Sequence, residues 1–352
     1  MKQTDGIIST TPLGHLAEDG EEPGPESDIR VLQVSAAQHG ERLDKALAAS
    51  VTEFSRSYLQ QLLETGLVML NGRLCTKVSQ KVRAGDSISL ELRPTPQSQA
   101  FKPEAVDFGV AFEDAHLLVV NKPAGLVVHP APGNWSGTLL NGLLAHDPCF
   151  LLVPRAGIVH RLDKDTSGLM VVAKTREVMD ALVKAIAARE VSRQYLALAH
   201  GTWTGARNRT VDAPIGRDPR NRLRMAVVDL QHQSGKTART DFELLATDAH
   251  CSYVRCILHT GRTHQIRVHM ASIGHPLVAD SVYGGTAELG LTRQALHATR
   301  LAFAHPVTAE PLQFEAPLAA DMQQAVAAFR PTGALAPLSA PRRGPAVQLP
   351  KA

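Results

Sequence analysis

The apolar positions change period along the chain, and each change marks an element. From Glu41 to Ser50, Leu43, Ala46 and Leu47 fall on one face of a helical wheel, which predicts a short amphipathic helix. Tyr58, Leu59, Leu62 and Leu63 form a second stripe, with Ser57 and Gln60 reading as its capping box and Gly66 as its close. In Val68-Met69-Leu70-Asn71-Gly72-Arg73-Leu74, the Asn-Gly pair between apolar runs predicts a hairpin, because both turn residues must accept positive φ. Gly85-Asp86 then turns the chain into a further strand, Ser87 to Leu92. Beyond it, a buried strand ends at Val119-Val120-Asn121, Thr175 caps a helix running through Ala188, and strands recur at Tyr195–Ala199, Thr240–Leu245 and Tyr253–Leu258. These strands are too close in sequence to leave a helix between each pair. The pattern predicts an α+β fold: a mixed, mostly antiparallel β-sheet with flanking helices, preceded by a small α/β module.

A chain of 352 residues exceeds what one core usually holds. The expected division is a disordered acidic tail over 1–30, the small module over 31–93, a linker over 94–104, the larger body over 105–330, and a disordered Pro-rich tail over 331–352. The first 30 residues hold seven acidic and two basic side chains, so residues 31–352 stand at +8 against +3 for the whole chain. A basic body suits a polyanionic partner. No apolar run approaches the roughly 20 residues that cross a bilayer, and the start lacks the pattern of a secretory signal. The four cysteines, Cys75, Cys149, Cys251 and Cys256, contain no C-x-x-C pair, which argues against a disulfide framework or structural zinc and for a reducing cytoplasm.

Three polar islands between apolar segments concentrate the chemistry. They are Asn121-Lys122-Pro123-Ala124-Gly125-Leu126-Val127-Val128-His129-Pro130, His160-Arg161-Leu162-Asp163-Lys164-Asp165-Thr166-Ser167, and Thr260-Gly261-Arg262-Thr263-His264-Gln265-Ile266-Arg267-Val268-His269. Such islands are either surface loops or sites positioned by the strands beside them. An Asp beside Arg and Lys is most often a surface ion pair. Asp165 would lie roughly 6.5–7 Å from Asp163 on an extended chain, a spacing that an inverting glycosidase pair accepts, although a cap is the simpler role. His129, His160, His264 and His269 invite a metal. His264 and His269 are five apart rather than four, however, and no carboxylate motif completes them, so no metal site is expected.

Arg42-Leu43-Asp44, Ser55-Arg56-Ser57 and the run from Gly66 to Gly72 resemble the S4 RNA-binding domain, which makes Arg56, Arg73, Lys77, Lys81 and Arg83 candidate phosphate contacts. The islands resemble the pseudouridine synthases, in particular the branch that carries His-Arg-Leu-Asp. Pro154-Arg155-Ala156-Gly157 leads into the central island, and Val278-Ala279-Asp280, Tyr283-Gly284-Gly285 and Arg293-Gln294-Ala295-Leu296-His297-Ala298 follow the last one in family order. The resemblance implies an isomerase that breaks the C1′–N1 bond of uridine, rotates the base and rejoins it through C5, with no cofactor and no metal. It also implies Asp163 as the carboxylate that meets the sugar, Arg267 as the guanidinium that keeps it ionised and pinned, and Tyr195 as a ring stacked on the flipped uracil. Arg161 would fill the gap left by the base, with His160 and Arg262 as further RNA contacts. The implied partner is large-subunit ribosomal RNA, met by a monomer in the cytoplasm without a membrane. Two other readings compete: a non-catalytic S4-type RNA-binding ribosome assembly factor, and a metal-dependent hydrolase built on the histidines. A degenerate body would have no reason to keep Asp163, Tyr195 and Arg267 together.

Overall fold

The computed structural model describes residues 28–52, 54–92 and 100–331. The chain divides into two compact units between Gln99 and Ala100. Residues 1–27 of the expected acidic tail, 94–99 of the expected linker and 332–352 of the Pro-rich tail lie outside the described residues.

The first unit starts earlier than composition suggested. Strand β1 (Asp28–Gln33) takes in the last three residues assigned to the tail and pairs antiparallel with β4 (Ser87–Leu92). Backbone pairing sets this boundary, and composition does not report it. With β2 (Val68–Leu70) and β3 (Arg73–Leu74) the sheet order is β1-β4-β2-β3. Asn71 and Gly72 turn the β2–β3 hairpin at φ of 51° and 73°, as Asn-Gly demands. Helices α1 (Leu43–Ser50) and α2 (Arg56–Glu64) bury Leu43, Leu47, Leu59 and Leu63 against Val68, Ile88 and Leu90 of the sheet, each worth roughly 1.5–3 kcal/mol over exposure. The expected capping box is corrected by two residues: Ser55, not Ser57, caps α2 by accepting from the Tyr58 amide. Gln60 instead donates to Asp44 at 2.8 Å.

The second unit takes in residues expected to be linker. Ala100 is buried, and the Asn141 side-chain amide donates to the carbonyls of Ala100 and Lys102 at 3.2 and 2.8 Å, which ties 100–104 to this unit. Its strands are β5 (Gly109–Glu113), β6 (Leu117–Lys122), β7 (Ser167–Ala173), β8 (Ser192–His200), β9 (Asn208–Asp212), β10 (Ile215–Arg217), β11 (Met225–Val227), β12 (Gly235–Lys236), β13 (Arg239–Thr247), β14 (Cys251–Leu258), β15 (Leu296–Ala304) and β16 (Pro311–Glu315). Nine of them form one sheet in the order β5-β6-β7-β15-β8-β14-β13-β9, with β16 on β15; β10, β11 and β12 form a separate ribbon. Every pairing in the large sheet is antiparallel except β7 with β15. The expected mostly antiparallel α+β architecture is the one observed.

Period-2 alternation gives this sheet two buried faces. Met170, Val172, Tyr195, Ala197 and Ala199 face the main core, where α3 (Leu139–His146) and α5 (Gln265–Ser272) contribute Leu139, Leu143, Ile266 and Met270. The alternating Leu169 and Val171 face the opposite side with Val178 and Leu182 of α4 (Arg176–Ala187), while Leu196 and Leu198 pack with Met322 and Ala325 of α6 (Ala320–Ala328).

Candidate active site

The central island is a loop bracketed by two glycines, and both are required there. Gly157 has φ +71°, and a Cβ on it would stand 1.8 Å from the Ala173 carbonyl oxygen. Gly168 has φ +112°, and a Cβ would stand 2.2 Å from the Ala298 carbonyl oxygen. Only hydrogen fits at either end, so the backbone is pressed onto the sheet on both sides of the loop. Between them Leu162 is buried in the main core, which leaves Arg161 exposed and turns Asp163 to a cavity at 16% side-chain exposure.

Three successive loop carbonyls are held. Asp163 O accepts from the Thr166 amide at 3.1 Å. Lys164 O accepts from the Gly125 amide and the Lys122 ammonium, both at 2.9 Å. Asp165 O accepts from Arg293 Nη1 at 2.8 Å. Lys122 is fully buried and also donates to the carbonyls of Pro123 and Leu126 at 2.8 and 2.9 Å. Burial lowers its pKa to about 7, against the pull of Asp165 and Asp163. Arg293 is anchored in turn by a fork to Asp321 on α6, at 2.6 and 2.9 Å. Asp165, expected as a cap, contributes its backbone carbonyl instead.

The partner of Asp163 comes from 104 residues later in the chain. Arg267, in the first turn of α5, donates from Nη1 to Asp163 Oδ2 at 3.1 Å. Its Nε and Nη2 form a fork with Asp280 at 2.7 and 2.8 Å, and Asp280 is 1% exposed. Burial alone would lower the Arg267 pKa, but Asp280 and Asp163 together raise it, so the guanidinium stays charged. The Tyr283 ring lies against it, 5.0 Å from centroid to guanidinium carbon. Tyr283 Oη accepts from the Met225 amide at 3.0 Å and shares a hydrogen bond with His264 Nδ1 at 2.8 Å. The other ring nitrogen, His264 Nε2, lies 3.9 Å from Asp163 Oδ1. Burial lowers the His264 pKa, which keeps the ring neutral.

Tyr195, on β8, lines the same cavity at 5% exposure, and burial pushes its phenol up to about 12. The cavity holds about 580 Å³ and is lined by Arg155, Arg161, Arg189, Arg193, Arg262 and Arg267 against one acidic residue, Asp163. The structure thus brings Asp163, Arg267, Tyr195 and Arg161 to one place. Arg262 also lines it, but its Nε is committed to the Thr237 carbonyl at 3.1 Å. His160, expected as an RNA contact, also lines the cavity. Its Nε2 accepts from the Val171 amide at 3.1 Å, and burial, aided by the Arg193 charge, lowers its pKa to about 3, so it ties the loop to β7 as a neutral ring.

Other side chains considered as ligands have protein partners. His269 is bonded to Thr240 Oγ1 and the Ala213 carbonyl, both at 2.9 Å, and His129 lies 2.7 Å from Arg155. Among the described residues one group with metal-ligating atoms converges elsewhere: His200, Cys251 and Glu288, within 4.8 Å of one another. Burial pushes the Cys251 thiol up to about 12 and keeps it protonated, and His200 Nδ1 lies 3.2 Å from Glu288. In the first unit Arg73, Lys77, Lys81 and Arg83 are exposed and make no ion pair among the described residues. Arg56 is engaged: its fork on the buried Asp44 spans 2.6 and 3.0 Å. Burial would raise the Asp44 pKa, but Arg56, Gln60 and Arg42 hold it down at about 2.

A sheet that positions a clamped carboxylate in an arginine-lined cavity, joined in one chain to a module bearing exposed cations, defines an enzyme that acts on a polyanion. The chain belongs to the RNA pseudouridylate synthase family, whose model matches residues 116–272, and residues 41–88 match the S4 domain. It is 46% identical over 320 residues to ribosomal large subunit pseudouridine synthase D of Neisseria meningitidis serogroup B, covering 87% of this chain and 83% of that one. It is also 46% identical over 322 residues to the protein of the same name from Nitrosomonas europaea, covering 89% and 92%. Among solved structures, human RNA pseudouridylate synthase domain containing 1 is 27% identical and covers 61% of this chain and 84% of its own, with a TM-score of 0.48. The protein is an RNA pseudouridine synthase, an isomerase.

Proposed function

We propose that this enzyme isomerises specific uridines in large-subunit ribosomal RNA, with Asp163 meeting the ribose of a uridine flipped into the cavity. The observation that carries the reading is the Arg267–Asp163 contact at 3.1 Å, in the lining of a basic cavity that Tyr195 also lines. Support for the RNA class comes from the names of the two bacterial relatives, both of which specify the ribosomal large subunit.

In the reaction the C1′–N1 bond breaks, the uracil turns, C5 bonds to C1′, the C5 proton leaves, and N1 ends protonated. No electrons enter or leave, so the proposal assigns no cofactor. The chemistry needs an anionic carboxylate at the sugar, whether it attacks C1′ or removes a ribose proton. Arg267 places a positive charge beside the carboxylate and supplies the hydrogen bond that aims it. Tyr195, neutral and apolar on its face, suits stacking on the detached uracil, which must stay in place while it turns. Arg161, exposed beside Asp163, is placed to occupy the stack the uridine vacates, offsetting part of an extrusion cost of a few kcal/mol. Arg73, Lys77, Lys81 and Arg83 contact phosphates, and an rRNA substrate puts this monomeric enzyme in the cytoplasm.

The test is to incubate the purified protein with large-subunit rRNA from cells lacking the enzyme and to map pseudouridine by carbodiimide primer extension. New stops should appear with the wild type and vanish with Asp163→Asn, while RNA affinity changes by less than a few fold. No stops with the wild type, or equal stops with the variant, would refute the reading.

A further inference from the structure

Arg193 stands apart from the buried Arg267 and the half-buried Arg293 of the second unit. Arg267 is forked onto Asp280 and Arg293 onto Asp321. Arg193 is 5% exposed, its Nε is buried, and its guanidinium has no hydrogen bond or ion pair among the described residues. A desolvated guanidinium without a counter-anion is costly, and folded proteins tolerate one chiefly where something else supplies the anion. The side chain is not hidden in the core. It lines the cavity on the same face of β8 as Tyr195, two residues away, and a Cβ on Gly261 would stand 2.8 Å from its Nη1. Gly261 therefore leaves the room that the guanidinium occupies. Burial lowers the Arg193 pKa, as expected of a cation whose partner is absent. The cavity's one carboxylate, Asp163, is already taken by Arg267.

We propose that Arg193 is the receptor for a phosphodiester flanking the target uridine, so that the flipped nucleotide is held between this buried guanidinium and the ring of Tyr195. The assignment rests on the reading that a uridine enters this cavity. It goes further by naming the group that fixes the nucleotide's backbone. Phosphate is favoured over a uracil oxygen because the base is neutral until the C1′–N1 bond breaks, whereas the phosphodiester brings a full negative charge on entry. A forked donor set also matches two phosphate oxygens. The i, i+2 step along a strand, roughly 6.5–7 Å, separates the two side chains about as far as a base lies from its own phosphate.

The experiment uses the full-length protein and a synthetic stem-loop containing one uridine that the wild type converts. The phosphodiester on each side of that uridine is replaced singly by an uncharged methylphosphonate. Single-turnover assays give the half-saturating concentration and the saturating rate for wild type, Arg193→Met and Arg193→Lys, with a thermal melt of each free protein. On unmodified RNA, Arg193→Met should raise the half-saturating concentration at least tenfold, and Arg193→Lys should fall between it and the wild type. One methylphosphonate should weaken the wild type by a similar factor and Arg193→Met hardly further. Free Arg193→Met should melt no lower than the wild type, because an unpaired buried charge has been removed. The assignment is overturned if Arg193→Met keeps its full defect on both methylphosphonate RNAs. It is equally overturned if only the saturating rate falls, which would place the guanidinium on the detached uracil, or if the substitution leaves both constants unchanged. Should the wild type form no pseudouridine in any RNA, the function itself fails, an outcome separate from these.

Discussion

Arg267 holds two carboxylates, and they do different jobs. Asp280 takes Nε and Nη2 in a fork and fixes the plane of the guanidinium, while Nη1 reaches Asp163. Asp280→Asn halves the fork and leaves a buried cation poorly matched, a change that in buried pairs costs on the order of 3–5 kcal/mol. Turnover should fall at least tenfold with RNA affinity within threefold, read by single-turnover assay and filter binding. Unchanged turnover would show that Asp163 is aimed by something else. Asp163 and Arg267 stand out in the sequence because their islands match a family pattern. Asp280 falls within that pattern too, but nothing local in Val-Ala-Asp reports an arginine thirteen positions earlier, so its role is silent in the sequence. Lys122 and Arg293 are silent for the same reason: their work is on the carbonyls of Lys164 and Asp165, and main-chain acceptors carry no sequence signature.

At the scale of elements, the loop between Gly157 and Gly168 behaves as a rigid part because its ends are pressed on the sheet and its carbonyls are occupied. Gly168→Ala should cost at least about 1–3 kcal/mol, since the new Cβ meets the Ala298 carbonyl at 2.2 Å and the parallel β7–β15 pairing must open. Urea unfolding measures this; an unchanged midpoint would mean the pairing is slack. Lys122→Met removes three hydrogen bonds at once. It should lower both the melting temperature and the saturating rate, whereas a fall in stability alone would separate the lysine from catalysis. Part of the element order is legible in the sequence. The Thr175 cap, the Asn71-Gly72 turn and the strand from Ser87 to Leu92 depend on chemistry within a few residues. The misses are the α2 cap, at Ser55 rather than Ser57, and whole elements such as β1, which pairs with a strand distant in sequence, and α3, α5, α6 and β15.

For the molecule as a whole, charge is the property the two units share. Neutralising Arg73, Lys77, Lys81 and Arg83 together should flatten the dependence of RNA affinity on salt, by up to roughly 0.7–0.9 on a log–log plot for each phosphate that no longer has a cation against it. An unchanged slope would mean that those side chains touch no phosphate. Acid should strike the first unit through Asp44. Its folded pKa, about 2, lies below the ordinary 3.8, so its contribution is complete above about pH 4 and is lost as pH falls toward 2. Thermal melts across that range should converge for the wild type and Asp44→Asn; a constant gap between them would place the acid sensitivity elsewhere. What the amino-acid order determined unaided was everything encoded by short-range periodicity and turn chemistry, together with the polar islands that interrupt it. Tertiary structure alone decided that β15 inserts between β7 and β8, that α5 faces the loop ahead of β7, and hence that a guanidinium meets a carboxylate 104 residues away. Local sequence sets backbone preference, but contacts across a sheet depend on which strands become neighbours, and burying both faces of the sheet settles that.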